Sequence, residues 1–179
     1  MNYNVIATMA RCVMKIDLRE IINIPGGKVS FDYSPDLSGL EPGSVKAIKP
    51  NARAVGNVCN IAGVLEFNAE LTVDTVCVCA RCLKEMDNLI KLKVTATISD
   101  EDDEESDDPD MFYLDGNLVD VDEIIINAFV LNTEQRFLCK EDCKGLCSKC
   151  GADLNAAPCN CREEIDPRLA VLGQLLENE

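Results

Sequence analysis

Six cysteines crowd into the stretch Cys139–Cys161, and no other feature limits the fold as strongly. They are Cys139, Cys143, Cys147, Cys150, Cys159 and Cys161. At the centre lies Cys147-Ser148-Lys149-Cys150-Gly151. A C-x2-C followed by glycine has the form of a zinc knuckle. Two thiolates reach one ion from a tight turn, and glycine relaxes the backbone where amides approach sulfur. Zinc takes four ligands in a tetrahedron, about 2.3 Å from each sulfur. Cys147 and Cys150 are the firmest ligands. The other two come from Cys139 and Cys143, from Cys159 and Cys161, or from one of each pair. One structural ion is expected, with two sulfurs spare; a two-metal site with shared thiolates is the variant. The plain alternative is a set of buried or partly oxidised thiols, since cysteine is also a common core residue.

Composition narrows the chemistry. The chain of 179 residues has no histidine, which excludes Ser-His-Asp and Cys-His catalysis and every His-ligated zinc. A closed all-sulfur site leaves no position for water, so a structural role is expected and catalysis is not. Net charge is −15, the wrong sign for a broad grip on phosphates and the right one for a basic protein partner. Met1–Val13 carries Asn4 and Arg11 and lacks a long apolar core, which reads against a signal peptide. No run approaches the roughly 18 apolar residues of a membrane span. Eleven cysteines without an export signal point to reduced thiols, metal and the cytoplasm.

Patterning predicts an α+β protein: an antiparallel β-sheet or partial barrel with flanking helices and a C-terminal zinc-knuckle module. The divisions are an N-terminal extension over 1–13, an α+β domain over 14–131, and the cysteine module with a terminal helix over 132–179. Asp17 is read as the cap of a short helix carrying Leu18, Ile21 and Ile22, stopped by Pro25-Gly26-Gly27. Lys28–Tyr33 alternates as a half-buried strand, and Ser34–Ser44 is loop. Pro50 demotes Val45–Val58 to an edge or bulge. Val64–Cys79 and Asn88–Ile98 are the clearest strands, the first long enough to expect a bend or bulge. An acidic loop fills 100–110, where Asp100–Asp108 is acidic at every position but Ser106. It reads as a solubilising surface, or as a phosphate mimic that holds a basic protein. Phe112–Leu114 and Leu118–Val119 read as a hairpin turned by Asp115-Gly116. Asp120 caps a helix with Glu123 as its partner, and Ile124, Ile125, Ala128 and Leu131 form its core face. Asp166-Pro167-Arg168 opens the terminal helix.

A second C-x2-C, Cys79-Ala80-Arg81-Cys82, falls at the tip joining the two long strands. Three readings stand for Cys79 and Cys82: a metal site completed by a pair from the C-terminal cluster, a redox pair, or a tight turn with packed thiols. A thioredoxin-like pair needs a helix N-terminus to lower its first thiol, and none is expected here. Arg81 and Lys84, with Lys91 and Lys93, make the hairpin locally basic. They are either a solvated strand face or a contact for RNA. Cys59 reads as core or edge packing.

The motifs Cys79-Ala80-Arg81-Cys82-Leu83, Asp115-Gly116, Cys143–Gly151, Leu154-Asn155, Cys159-Asn160-Cys161 and Asp166-Pro167-Arg168-Leu169-Ala170 follow in this order. Together they resemble the YceD family of large ribosomal RNA subunit accumulation proteins, over roughly Met14 to Leu176. Members of that family begin near the stretch equivalent to Met14–Asp17. They often carry proline in the linker before the first C-terminal cysteine, where this chain has Leu131–Arg136. The resemblance implies a non-catalytic factor in large-subunit ribosome biogenesis. It would bind a ribosomal protein or pre-ribosomal particle, or ribosomal RNA, with zinc as structural cofactor and with no membrane or small-molecule substrate. Arg81, Lys84 and Arg168 are the candidate partner contacts. The competing reading is a thiol redox or metal-dependent protein working through Cys79 and Cys82.

Overall fold

Strict alternation builds the sheet. A computed structural model describes residues 13–99 and 110–161. Strand β5 (Val64–Val78) buries Leu65, Phe67, Leu71, Val73 and Cys77, and β6 (Glu85–Ser99) buries Ile90, Val94, Ala96 and Ile98. The two pair antiparallel without a register break from Leu65↔Ile98 to Val78↔Glu85. The bulge expected in β5 is therefore absent. Both edges of β5 are paired: β6 runs along one, and on the other β4 (Arg53–Ile61) covers one part and β3 (Val45–Ile48) another, with the irregularity in β3, between Val45 and Ala47. Pro50 does not demote the whole stretch. It separates a short edge strand, β3, from β4, an interior strand between β5 and β2 (Lys28–Tyr33).

The six-stranded sheet runs β2-β4-β5-β6-β7 with β3 beside β5, and it is open rather than closed into a barrel. Its one parallel pairing joins β6 to β7 (Met111–Tyr113). Here the expected hairpin is corrected. The Asp115-Gly116 turn forms, with Asp115 N–H donating to Leu118 O at 2.9 Å and Gly116 at φ 67°. Its two arms part, however: β7 adds to the free edge of β6, whereas β8 (Leu118–Asp120) pairs with β1 (Lys15–Asp17) in a separate two-stranded sheet. A tight turn fixes chain reversal; open edges elsewhere decided the pairing.

The short helix after Asp17 is also corrected. Met14–Asp17 enters β1, and Leu18 donates its N–H to Asn117 O. The chain then makes turns, with Ile21 N–H to Leu18 O at 2.9 Å, before Pro25 stops it. Leu18 and Ile21 are buried as expected, because a single turn suffices to bring residues three apart to one side.

Helix α1 (Val121–Asn132) is the only helix among the described residues. Its buried stripe is Val121, Ile124, Ile125 and Phe129, at steps of three and four. Leu131, expected in the core, is 61% exposed. The helix ends one residue beyond it, where Thr133 bonds back to Phe129 O through its amide and its hydroxyl. Asp120 is the N-cap, its Oδ1 accepting from Glu123 N–H at 3.1 Å. Asp120→Ala should lower stability by about 1 kcal/mol, read as a shifted denaturation midpoint at unchanged slope.

Phe67, fully buried, stacks on Phe31 at a centroid separation of 5.2 Å and anchors the core beneath the sheet. No helix among the described residues is long and apolar enough to cross a membrane. The extension before Val13 with Cys12, the acidic stretch up to Pro109, and the expected terminal helix with Arg168 fall on residues outside those described.

Candidate metal centres

The chain must reverse between Val78 and Glu85, and the way it does so is informative. Leu83 N–H donates to Cys79 O at 2.9 Å, and Leu83 sits in the left-handed region at φ 59°. In the C-terminal module Gly151 N–H donates to Cys147 O at 2.9 Å, and Gly151 has φ 71°. In each turn the residue after the second cysteine bonds back to the carbonyl of the first and adopts the same rare conformation. The hairpin tip is therefore built as a knuckle, with leucine where its sister has glycine. A left-handed leucine costs roughly 1–2 kcal/mol, and Leu83 is 63% exposed, so little burial repays it. Leu83→Gly should leave stability unchanged or raise it by up to about 1 kcal/mol, glycine's larger unfolded-state entropy offsetting part of the relief. Thermal unfolding measures this.

The segment after α1 returns to that tip. Ala80 N–H donates to Phe137 O at 2.9 Å, in a parallel bridge between Cys79 and Phe137. Arg81 reaches across with Nη1 to Glu141 O at 3.1 Å and Cys143 O at 2.9 Å, while its own carbonyl accepts from Leu146 N–H. Two sulfur tetrads result: Cys79, Cys82, Cys139 and Cys143 at the junction, and Cys147, Cys150, Cys159 and Cys161 within the module. In each, all four sulfurs lie within 4.8 Å of one another. Four sulfurs at about 2.3 Å from a central ion stand about 3.8 Å apart. Cys79 Sγ lies 3.8 Å from Cys143 Sγ, and Cys82 Sγ lies 3.6 Å from Cys139 Sγ. A disulfide would need about 2.05 Å, and these cysteines are free thiols. Donor type, number and spacing fit a tetrahedral thiophilic ion.

The expected arithmetic is thereby replaced. Six candidate sulfurs with two to spare become eight in two sets of four. Cys79 and Cys82 join Cys139 and Cys143, so Cys147 and Cys150 keep Cys159 and Cys161 to themselves.

Within each tetrad the protons are unevenly held. Backbone N–H groups, that of Cys82 first, draw the Cys79 thiol down to about 6 against the opposing effect of burial. The amides of Cys150 and Lys149 do the same for Cys147, also to about 6. The neighbouring Cys143 thiol first, and desolvation second, push Cys139 up to about 12, and Cys161 rises likewise beside Cys150. Each set thus offers a ready thiolate aimed at the centre by knuckle amides.

Of the proposed partner contacts, Arg81 commits its Nη1 to the carbonyls of Glu141 and Cys143. Lys84 is exposed and contributes, behind the amide and side chain of Asn155, to holding Asp153 below the usual carboxylate range. Cys59 is half-buried on β4, its thiol donating to Asn57 Oδ1. The residue that sequence reasoning missed is Asn155. Its Nδ2 donates to Cys143 Sγ at 3.4 Å and its Oδ1 accepts from Lys144 N–H at 2.9 Å. The only signal was its place in the Leu154-Asn155 motif between two cysteine pairs.

Residues 67–176 match the family described as large ribosomal RNA subunit accumulation protein YceD, a span that contains all eight tetrad cysteines. An uncharacterized protein of Mycobacterium tuberculosis is 27% identical over 177 residues, covering 93% of this chain and 83% of the relative. An uncharacterized protein of Mycobacterium leprae is 26% identical over 199 residues, covering 96% and 86%. The chloroplastic large ribosomal RNA subunit accumulation protein YCED homolog 1 of Arabidopsis thaliana is 40% identical over 60 residues, covering 33% of this chain and 19% of its own length. No solved structure matches.

Proposed function

We propose that this chain, which belongs to the YceD family of large ribosomal RNA subunit accumulation proteins, is a non-catalytic cytoplasmic factor in large-subunit ribosome biogenesis, held in shape by two structural zinc ions. The carrying observation is that one family match spans both tetrads. The donor sets support zinc: four cysteines and no other ligand type, in knuckle turns, are the pattern of closed structural sites. Such a site leaves no coordination position for substrate, which supports a binding role over catalysis. The charge of −15 favours a basic ribosomal protein as the direct partner, with ribosomal RNA reached through it.

Depleting the protein from cells should lower large-subunit relative to small-subunit ribosomal RNA. Crosslinked pull-down should recover large-subunit precursor components. An unchanged RNA ratio together with a pull-down empty of pre-ribosomal components would sink this reading.

One observation favours the redox alternative, the Cys79 thiol held near 6. The same amides that lower it also aim it at three further sulfurs, an arrangement that suits a metal. Alkylation decides between them. Cys79 should resist alkylation in the zinc-loaded protein and react only after chelation; a thiol that reacts at pH 7 with zinc retained would favour redox chemistry.

A further inference from the structure

We propose that Asn155 couples the two metal centres, so that filling the second tetrad tightens the first. The inference rests on reading both tetrads as zinc sites. Asn155 lies in the loop between Cys150 and Cys159, the loop that an ion in the second tetrad closes. Its side chain, however, serves the first tetrad. Nδ2 donates to Cys143 Sγ at 3.4 Å, and Oδ1 accepts the amide of Lys144, the residue after that ligand, at 2.9 Å.

The loop is held for this task. Asp153 Oδ1 accepts from Asn155 N–H at 2.9 Å and from Nδ2 at 2.8 Å, fixing which way the amide points. Leu154 N–H bonds Gly145 O at 3.0 Å, and Leu146 bridges Asp153. Gly145, at φ 75°, passes so close to Arg81 that an added Cβ would stand 3.0 Å from its carbonyl oxygen. The second knuckle thus hands one residue to the first, over a backbone contact that tolerates no slack.

The chemistry favours asparagine. A site of four thiolates around a divalent ion carries a net charge of −2, and N–H donors to sulfur disperse it. An amide supplies the donor to Cys143 and the acceptor to Lys144 at once. An aspartate would keep the acceptor but set a carboxylate against a thiolate. Outer-shell groups of this kind are worth 10–100-fold in metal affinity. Without an ion in the second tetrad, Cys159 and Cys161 no longer tie down the loop, and the first tetrad loses its donor. Linkage makes the effect reciprocal: an ion in the first tetrad tightens the second by the same factor. Asn155 is a positioning residue for metal, not a ligand.

The test is a double-mutant cycle on the full chain. Zinc affinity of the first tetrad is measured by competition with a chromophoric chelator in the wild type, Asn155→Ala, Cys161→Ser and the double variant. Each single change should weaken the first tetrad roughly 10–100-fold, and the double variant should lose no more than the larger single effect. Asn155→Asp should lose more than Asn155→Ala. Cobalt(II) gives a readout that simple loosening would not move: Asn155→Ala should shift the sulfur-to-metal charge-transfer band of one centre while both remain tetrahedral. Additive losses, or an unshifted band, would overturn the coupling while leaving the two sites standing. A wild-type chain that binds fewer than two ions would overturn the coupling together with the metal reading beneath it.

Discussion

On the proposed two-zinc reading, Cys79→Ser is expected to cut the zinc content from two ions per chain to one and to release the cysteine module from the end of the sheet. Cys79 is fully buried one residue beyond β5, and its tetrad partners Cys139 and Cys143 belong to a segment with little apolar anchorage. Around that junction Leu138 is 39% exposed, Cys139 is exposed, and the backbone is tied mainly by Ala80 to Phe137 and by Arg81. Where a segment cannot bury a core, the metal supplies its folding free energy, about 10–16 kcal/mol for a structural zinc at neutral pH. Losing one thiolate of four forfeits much of that. Amides in Phe137–Leu146 should then exchange freely, while β5 and β6, paired over their whole length, stay protected. Acidification should act in the same direction. Thiolate ligands must shed their protons to bind zinc, so affinity falls as pH falls. Elemental analysis with hydrogen exchange checks the whole set. Two ions retained, or a segment that stays protected, would mean that Cys79 is not a ligand.

Legibility of this fold tracked the distance over which each decision is made. The faces of β5 and β6, the cap at Asp120 and the knuckle at Cys147–Gly151 are local, and residue order alone supports them. The partners of Cys79 and Cys82 are not local. Cys143 lies 64 positions from Cys79, and the pairing depends on Phe137 returning beside the hairpin tip, which no spacing rule announces. The mistaken hairpin at Asp115-Gly116 has the same origin. The turn was readable, but β7 and β8 each found a better edge, on β6 and β1. The mistaken helix at Leu18–Ile22 shows the reverse. Its apolar spacing suits a helix, and an outside bond from Leu18 to Asn117 with an early Pro25 keeps it to turns. Asn155 was the hardest to see, since a lone polar residue shows its role only when the sulfur it touches is known.

Gly56 makes the complementary case, a residue whose importance is invisible in sequence and large in energy. Gly56→Ala is expected to destabilise the protein by about 3 kcal/mol or more. Gly56 sits inside β4, paired with Phe31 on one side and Ala69 on the other. A Cβ there would stand 2.4 Å from Asn68 O, 2.6 Å from Ala69 Cβ and 2.8 Å from Ala69 Cα. None of these atoms belongs to a flexible side chain, so the strands themselves must part, and β5 is the strand with which β3, β4 and β6 all pair. The conformation is not the obstacle, because Gly56 has no positive φ; the obstacle is space. Gly63 offers the contrast. It has φ 96° with nothing within 4 Å of an added Cβ, so Gly63→Ala should suffer only backbone strain, roughly 1–2 kcal/mol. Ala69→Gly in the Gly56→Ala background should restore part of the loss, since the clash with Asn68 O persists. On the two-zinc reading the metal content should stay unchanged throughout, because Ala69 lies ten residues before Cys79, roughly 33 Å at the rise of an extended strand. Chemical denaturation of the three variants ranks them. A Gly56→Ala protein no less stable than Gly63→Ala would mean that β4 and β5 do not approach so closely. A lost ion in Gly56→Ala would mean that the sheet and the metal junction fold as one unit.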